Sequence, residues 1–516
     1  MARWFNTAGP CKPDIHYMLS PMERLPQLQR IIDQQGYFVL HAPRQTGKTT
    51  AMLSLAQTLT ESGQYAAVMV SVEVGAAFSN NPEAGESAIL GAWKTDAQFR
   101  LPPRLQPPPW PEAPSGWRIG SALSVWAQQS LEPLVVFIDE IDALKNDLLI
   151  SVLRQLRSGY PSRPKGFPHA LALVGLRDVR DYKVASGGSD RLNTASPFNI
   201  KVKSLTLRSF TLAEVEQLYG QHTAEIGQRF TAKAVQRAFE LTQGQPWLVN
   251  ALAKEIVEEL VTDTSQPIEV PHINQAKEIL IQRQDTHLDS LAERLRESRV
   301  RAVIEPMLAG EPLGIVPDDD IQFLIDLGLV AWNPAGGLAI ANPIYREVLP
   351  RVLARGPQSG LPMIKPSWLT ETGQLDREKL LATFLDFWRQ HGKPLLKSAP
   401  YHEIAPHLVM MAFLHRVING GGTLEREYAI GSGRMDLCLR YGDMTLAIEL
   451  KVWHENRPDP LAAGLQQLDK YLAGLGLNQG WLVIFDRRIG LAPIAERTTT
   501  QQVTTAQGKE ITLIRG

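Results

Sequence analysis

Eight consecutive residues, Ala42-Pro43-Arg44-Gln45-Thr46-Gly47-Lys48-Thr49, lie between an apolar run, YFVL at 37–40, and a stretch of helical composition beginning at Thr50 and AMLSLAQTLTESG. Backbone N–H groups in such a loop, opening onto a helix N-terminus, make a cradle for phosphate oxygens. The spacing matches a phosphate-binding loop in which Lys48 reaches the β- and γ-phosphates of ATP and the Thr49 hydroxyl ligates Mg²⁺. Ala42 stands where the template has its first glycine. A chance Gly-Lys-Thr at an ordinary helix start is the alternative, and a second motif weighs against it. The run LVVFIDEIDAL at 134–144 reads as an apolar strand ending in acids. Asp139 is placed to hold the Mg²⁺ shell and Glu140 to act as base towards the attacking water. Asp142 reads as a solvated or capping residue. A third apolar run, LALV at 171–174, leads through Gly175 to Arg177 and Asp178. Arg177 is a candidate stabiliser of γ-phosphate charge and Asp178 a weaker one, and a surface ion pair explains Arg177 equally well.

A second group of chemically capable residues lies near the other end. Asp436 follows Gly433-Arg434-Met435, and Glu449-Leu450-Lys451 comes thirteen residues later on an apolar strand. The one-residue gap puts Glu449 and Lys451 on one face of that strand. A turn at Tyr441-Gly442-Asp443 would bring Asp436 beside them. Two carboxylates on adjacent strands make a hard-oxygen site for Mg²⁺ or Mn²⁺, and Lys451 can orient the attacking water. Downstream, Gln467 and Tyr471 are four residues apart on an expected helix, hence on a shared face. His402, Glu403 and His407 nearly spell a zinc-protease motif, but the spacing of five turns the histidines about 140° apart and Pro406 intrudes. A zinc site is therefore rejected.

These residues need elements to hold them. The chain has 516 residues, 44% hydrophobic and 21% charged, a globular composition with room for three or four domains. The net charge is −1, so any nucleic-acid surface must be a local patch. Two cysteines, Cys11 and Cys438, exclude a disulfide framework and an all-cysteine zinc site. No apolar run is long enough to span a bilayer, and a cytoplasmic protein without membrane contact is expected.

The runs at 37–40, 65–74, 134–138 and 171–174 predict a parallel sheet covered by helices on both faces, over residues 1–204. Residues 76–120, with the run LPPRLQPPPWPEAP, read as a proline-rich insertion loop, either a simple cover or a surface for a protein partner. Helices are expected through 205–265, the first capped by Thr211 with Glu214, the second stopping at Gly244, the third starting at Pro246. Over 266–354, a helix at 288–308, a short helix in DDDIQFLIDLGL and a turn at Pro334-Ala335-Gly336-Gly337 suggest a winged-helix pattern. The short helix is acidic, unlike a DNA-reading helix, whereas Arg294 to Arg301 gathers positive charge as a backbone-contact face or a solvated helix. Residues 355–375 read as a linker, and 376–516 as a small α/β domain with helices at 376–391, about 404–418 and 461–474 and strands near 424–430, 434–440, 444–450 and 481–486. The tail beyond residue 500 reads as a final hairpin.

Residues 20–355 resemble the AAA-like and STAND-type P-loop ATPases, through the loop at 42–49, the strand ending in Asp139-Glu140, and Gly244-Gln245-Pro246 in the lid. The last domain resembles the PD-(D/E)XK nucleases, particularly RecB-like members, through Asp436, Glu449-x-Lys451 and Gln467-x-x-x-Tyr471. That second resemblance implies a restriction-endonuclease-like mixed sheet and metal-dependent phosphodiester hydrolysis, with Asp436 and Glu449 as metal ligands, Lys451 as catalytic lysine, Gln467 and Tyr471 as accessory residues and Glu403 as a further ligand. The expectation is an α/β multidomain protein: a P-loop ATPase with helical lid and winged helix, joined to a nuclease that acts on nucleic acid, expected to be DNA, under control of nucleotide state. The resemblance also implies a homo-oligomer as one arrangement and prokaryotic defence against foreign DNA as one role. Two other readings stay open: a signalling switch whose last domain only binds nucleic acid, and a DNA translocase with an ancillary nuclease.

Overall fold

The structure, a computed structural model, describes residues 3–176, 200–283, 293–295, 297–309, 313–333, 336–360, 367–398, 405–418, 422–430, 433–455 and 457–516, without the side chains of 309, 354–360, 397–398 and 425–436. The chain divides into two compact units: Met1–Gln282 with Pro317–Leu338, and Arg283–Val316 with Ala339–Gly516. The divide falls inside the segment expected to be a winged helix.

In the first unit, five strands form one sheet: β1 (Tyr37–His41), β2 (Ala66–Ser71), β3 (Leu134–Asp139), β4 (Ala170–Gly175) and β5 (Lys203–Thr206). Their order is β2-β3-β4-β1-β5, with every pairing parallel. Side chains alternate between faces along a strand, and here both faces are apolar. Val39, Val68, Val136 and Leu171 pack with Trp93, Trp126 and Leu148 on one side. Phe38, Met69, Phe137 and Ala172 pack with Ile32, Met52 and Leu55 on the other. Unbroken apolar strands are what double coverage requires. Strand β5 was not anticipated, since only Leu205 of KSLT is buried.

The segment 76–120 differs from the expected loop. Nineteen of its residues form a helix, Pro82–Arg100, capped by the Asn81 side chain accepting from the Ala84 N–H at 3.2 Å. The proline-dense part beyond it, residues 101–117, has no α-helix, yet it too is built into the core. Trp93 Nε1 donates to the Ser71 carbonyl at 3.0 Å, Trp110 Nε1 to Leu90 at 2.9 Å and Trp126 Nε1 to Leu105 at 3.2 Å. Buried Glu86 accepts from the Gly116 N–H, from Ser151 and from Gln155. Trp117 stays exposed. A run of prolines removes N–H donors, and the Trp126 indole supplies one to the Leu105 carbonyl within it.

The helical stretch follows the expected order. Helix Leu212–Ile226 has the Thr211/Glu214 capping box, helix Ala232–Thr242 ends before Gly244, and helix Pro246–Glu255 continues into a π-turn, Ile256–Leu260. Helix Asp318–Asp326 then precedes strand β6 (Val330–Trp332), and β7 (Leu338–Ile340) spans the divide between units.

The second unit holds a six-stranded mixed sheet in the order β12-β13-β11-β10-β9-β8. Its strands are β8 (Gly422–Ile430), β9 (Gly433–Tyr441), β10 (Met444–Trp453), β11 (Gln479–Asp486), β12 (Thr499–Thr504) and β13 (Glu510–Arg515). β10 runs antiparallel to β9 and parallel to β11. Helices Arg377–Ser398 and Ala405–Ile418 contribute Trp388 and His407 beside Phe485 on one face. Helix Leu461–Leu475 covers the other face, Leu468, Tyr471 and Leu472 meeting Cys438, Ala447 and Leu482. Helix Pro343–Gly360 runs through the first six residues of the expected linker, so that segment is shorter than its Gly and Pro content suggested. Arg294 and Arg299 of the basic stretch both pair with Glu297, at 2.8 and 2.9 Å, which offsets part of the positive charge locally.

Gly244 is one position where only glycine fits. Its φ is +71°, and a Cβ would lie 1.9 Å from the Phe210 carbonyl oxygen. Gly244→Ala should destabilise the 205–260 helices by about 1–3 kcal/mol. Hydrogen exchange there should accelerate while β1–β4 keep their protection.

Candidate functional site

The loop after β1 is shaped by left-handed backbone. Gly47 has φ +93° and Gln45 φ +57°, and the helix Lys48–Glu61 starts at once. Thr46 closes the loop on itself, its hydroxyl donating to the Pro43 carbonyl at 2.9 Å. Pro43 is packed by the turn at Gly328, where a Cβ would meet it at 2.8 Å. Lys48 Nζ folds back to donate to the Ala42 and Pro43 carbonyls at 2.8 and 2.9 Å. Burial pulls its ammonium down to about 8, against the opposing pull of Asp142 and Asp139. Arg44 is exposed on the outer side of the loop.

Strand β3 delivers the acids to this loop. The Thr49 hydroxyl donates to Asp139 Oδ2 at 2.8 Å, and the Glu140 N–H donates to Asp139 Oδ1 at 2.9 Å. Burial pushes the Asp139 carboxyl up while those two bonds pull it down. Glu140 itself has φ +58°, a costly backbone for a non-glycine residue, of a kind concentrated at working sites. Its carboxyl is pushed up to about 7, first by partial burial and then by Glu73, with which it shares a hydrogen bond. Asp142 is a tether: its Oδ1 accepts the Leu176 N–H at 3.1 Å, fixing the chain where β4 ends. Arg177 and Asp178 lie outside the described residues.

A hydroxyl and a carboxylate in contact are the hard-oxygen donors a magnesium ion takes. The residues therefore fit the expected metal, with Thr49 and Asp139 as its protein ligands. A cavity of about 500 Å³ opens over Gly47, Lys48 and Thr49 and is walled by Asn6 and Pro10, and by Trp247 and Asn250 of the helical stretch. Thr50 joins that wall, its hydroxyl accepting the Cys11 N–H at 3.1 Å. Sequence reading missed Glu73, Arg24 and the segment 6–11, because nothing in their local pattern shows that they converge on this loop.

In the second unit, Glu449 is 2% exposed and accepts from Lys451 Nζ at 2.6 Å. Leu437 pairs with Ile448 across β9 and β10. Asp436 immediately precedes Leu437, and its side chain lies outside the described residues. Glu403 also lies outside them. Among the described residues no cluster of three or more His, Cys, Asp or Glu side chains forms a metal site. Tyr471 and Gln467 diverge: Tyr471 is buried in the core under its helix, and Gln467 is exposed. His407, half of the rejected zinc motif, is buried. Trp453, also missed, shares the face of Glu449 and Lys451 and carries the Arg488 guanidinium 3.6 Å over its ring.

No family model matches the chain, and no curated protein matches it. Solved structures do resemble it loosely. A Walker-type ATPase of Pyrococcus abyssi is 12% identical, with 67% of this chain and 99% of that one covered and a TM-score of 0.45. The RuvB Holliday junction branch migration motor of Thermotoga maritima is 16% identical, covering 62% and 89%, with a TM-score of 0.34. Cdc6p from Pyrobaculum aerophilum is 13% identical, covering 65% and 93%, with a TM-score of 0.35. No helix among the described residues is long and apolar enough to cross a membrane.

Lys48 must be protonated to meet phosphate, yet its ammonium sits near 8. Below that pH it is already charged and binding needs no proton. Above it, nucleotide binding should take up about one proton, and affinity should fall about tenfold per further pH unit. Calorimetry in buffers of different ionisation heat, at pH 7 and 9, measures this. Equal proton uptake at both would contradict the shift.

Proposed function

We propose that the chain is an ATPase joined to a metal-dependent nuclease, with nucleotide state governing cleavage of nucleic acid, DNA being the expected substrate. The contact between the Thr49 hydroxyl and Asp139 at 2.8 Å carries the first half. It joins the two motifs, ninety residues apart, into one hard-oxygen site at the mouth of a phosphate-sized cradle. Bound Mg²⁺ would neutralise charge between the β- and γ-phosphates. Lys48 would swing from the loop carbonyls to the phosphate oxygens, and the loop N–H groups would hold them in place. Glu140, with its carboxyl near 7, is suited to accept a proton from an attacking water at Oε.

The second half is supported by the contact between Glu449 and Lys451 at 2.6 Å and by the pairing of Leu437, next to Asp436, with Ile448, next to Glu449. Asp436 and Glu449 would hold the metal, and Lys451 would orient water and offset developing negative charge. Gln467 is the less secure part of this set, since it faces solvent. Control of one site by the other is motivated by their presence on one chain.

The test is cleavage of plasmid and linear DNA with Mg²⁺ or Mn²⁺, with and without ATP. Lys48→Ala should lower ATP hydrolysis about 100-fold or more, and Lys451→Ala should lower cleavage by a similar factor while leaving hydrolysis intact. Cleavage unaffected by Lys451→Ala would remove the nuclease assignment. Cleavage equal with and without ATP would remove the coupling. A wild-type chain that hydrolyses ATP and cuts nothing would favour a switch with a nucleic-acid-binding domain.

A further inference from the structure

The short 3₁₀ turn Pro21–Arg24 precedes the sheet and places one guanidinium beside the phosphate-binding loop, where Arg24 and Phe210 line the same cavity as Lys48 and Trp247. Arg24 is 9% exposed. Both of its terminal nitrogens donate to the Thr46 carbonyl at 3.3 Å, and Nη2 also donates to the Arg208 carbonyl. The guanidinium lies 4.8 Å over the Phe210 ring. Among the described residues no carboxylate pairs with it, and Nε is buried without a hydrogen-bond partner. Glu214 instead takes Arg208, at 2.6 and 2.9 Å. Burial pulls Arg24 down to about 10. The Glu214 charge opposes that shift from a distance, but a buried cation without a carboxylate in contact is expensive, and carbonyl bonds repay only part of the lost hydration.

Those carbonyl bonds have a direction. Thr46 lies in the loop, immediately before Gly47. Arg208 and Phe210 open the helical stretch. The Phe210 N–H donates to the Gly244 carbonyl at 2.8 Å, and Gly244 leads into Gln245, whose side chain caps Leu248 at 2.6 Å. The capped helix, Pro246–Glu255, puts Trp247 and Asn250 into the wall of the nucleotide cavity. One fork thus spans the loop that would hold phosphate and the turn that orients the opposite wall.

We propose that Arg24 is a positioning residue that couples occupancy of the phosphate-binding loop to the 208–255 lid. The fork reports the position of the Thr46 carbonyl to the Phe210–Gly244 contact, so a loop drawn onto phosphate moves or clamps the lid. The inference rests on the nucleotide-binding reading above. Trp247 and Asn250 already line the cavity, so the competing account is that nucleotide reaches the lid directly.

Hydrogen exchange of the full chain with and without Mg²⁺–ADP separates the two, with nucleotide affinity measured alongside by calorimetry. In the wild type, ADP should slow exchange both at 43–50 and at 246–255. Arg24→Met keeps volume and the apolar contact with Phe210 but removes the N–H fork. It should still protect the loop on binding ADP, while ADP-induced protection of 246–255 falls about tenfold, the scale of a lost charged hydrogen bond. Phe210→Leu removes the ring but leaves the fork and the Phe210 N–H bond to the Gly244 carbonyl. It should keep both loop and lid protection. Lid protection as large as wild type in Arg24→Met, or lid protection lost in Phe210→Leu, overturns the proposal in favour of direct contact. A wild-type chain that binds no nucleotide overturns the parent reading and this one with it.

Discussion

A hydrogen bond from the Thr49 hydroxyl to Asp139 closes the distance between the first turn of one helix and the end of a strand two positions away in the sheet. Its geometry depends on strand order. β4 lies between β1 and β3, so the loop leaving β1 and the acid ending β3 face one another across the end of β4. The cavity forms where the carboxyl ends of parallel strands meet helix N-termini, the place where open α/β sheets bind ligands. Asp142 then secures the far side by holding the Leu176 N–H. The strands can keep this order because both their faces are apolar and both are covered.

Electrostatics around that bond are poised for a highly charged ligand. Lys48 is buried and weakly basic for a lysine, Asp139 is pushed up by the same burial, and Glu140 is pushed further by Glu73. Each group carries an unfavourable burial term that an opposite charge would relieve. Left-handed backbone at Gln45 and Glu140 adds local strain at the same place. Strain and shifted acidities concentrated in one cleft are an argument for function that does not depend on any likeness to another protein.

The second unit solves a different problem. A nearly fully buried carboxylate, Glu449, sits on the face of β10 that helix Leu461–Leu475 covers. Lys451, two residues on and less buried, supplies the compensating charge at 2.6 Å. A buried carboxylate is tolerated only when such a partner is close. Trp453 continues the same face outward with Arg488 stacked on it, so charge becomes more accessible towards the strand's end.

Local pattern was enough for the elements with strong, short-range signatures. The apolar runs of β1 to β4, the Thr211/Glu214 capping box, the stop at Gly244, the turn expected around Tyr441-Gly442-Asp443 and the alternation that sets Glu449 beside Lys451 were legible in the residues themselves. The reason is that each depends on periodicity or backbone preference over a few positions. What only the tertiary structure decided depends on groups distant in sequence. It turned 82–100 into a helix by giving Trp93 and Glu86 a core to enter, although the neighbouring prolines dominated the local reading. It continued a helix through 355–360, and it sent Tyr471 inward and Gln467 outward from one helix. It brought Arg24 to Thr46 and Phe210, and Glu73 to Glu140. No spacing rule encodes these meetings, because they follow from strand order and packing, which long-range burial selects and local propensity does not.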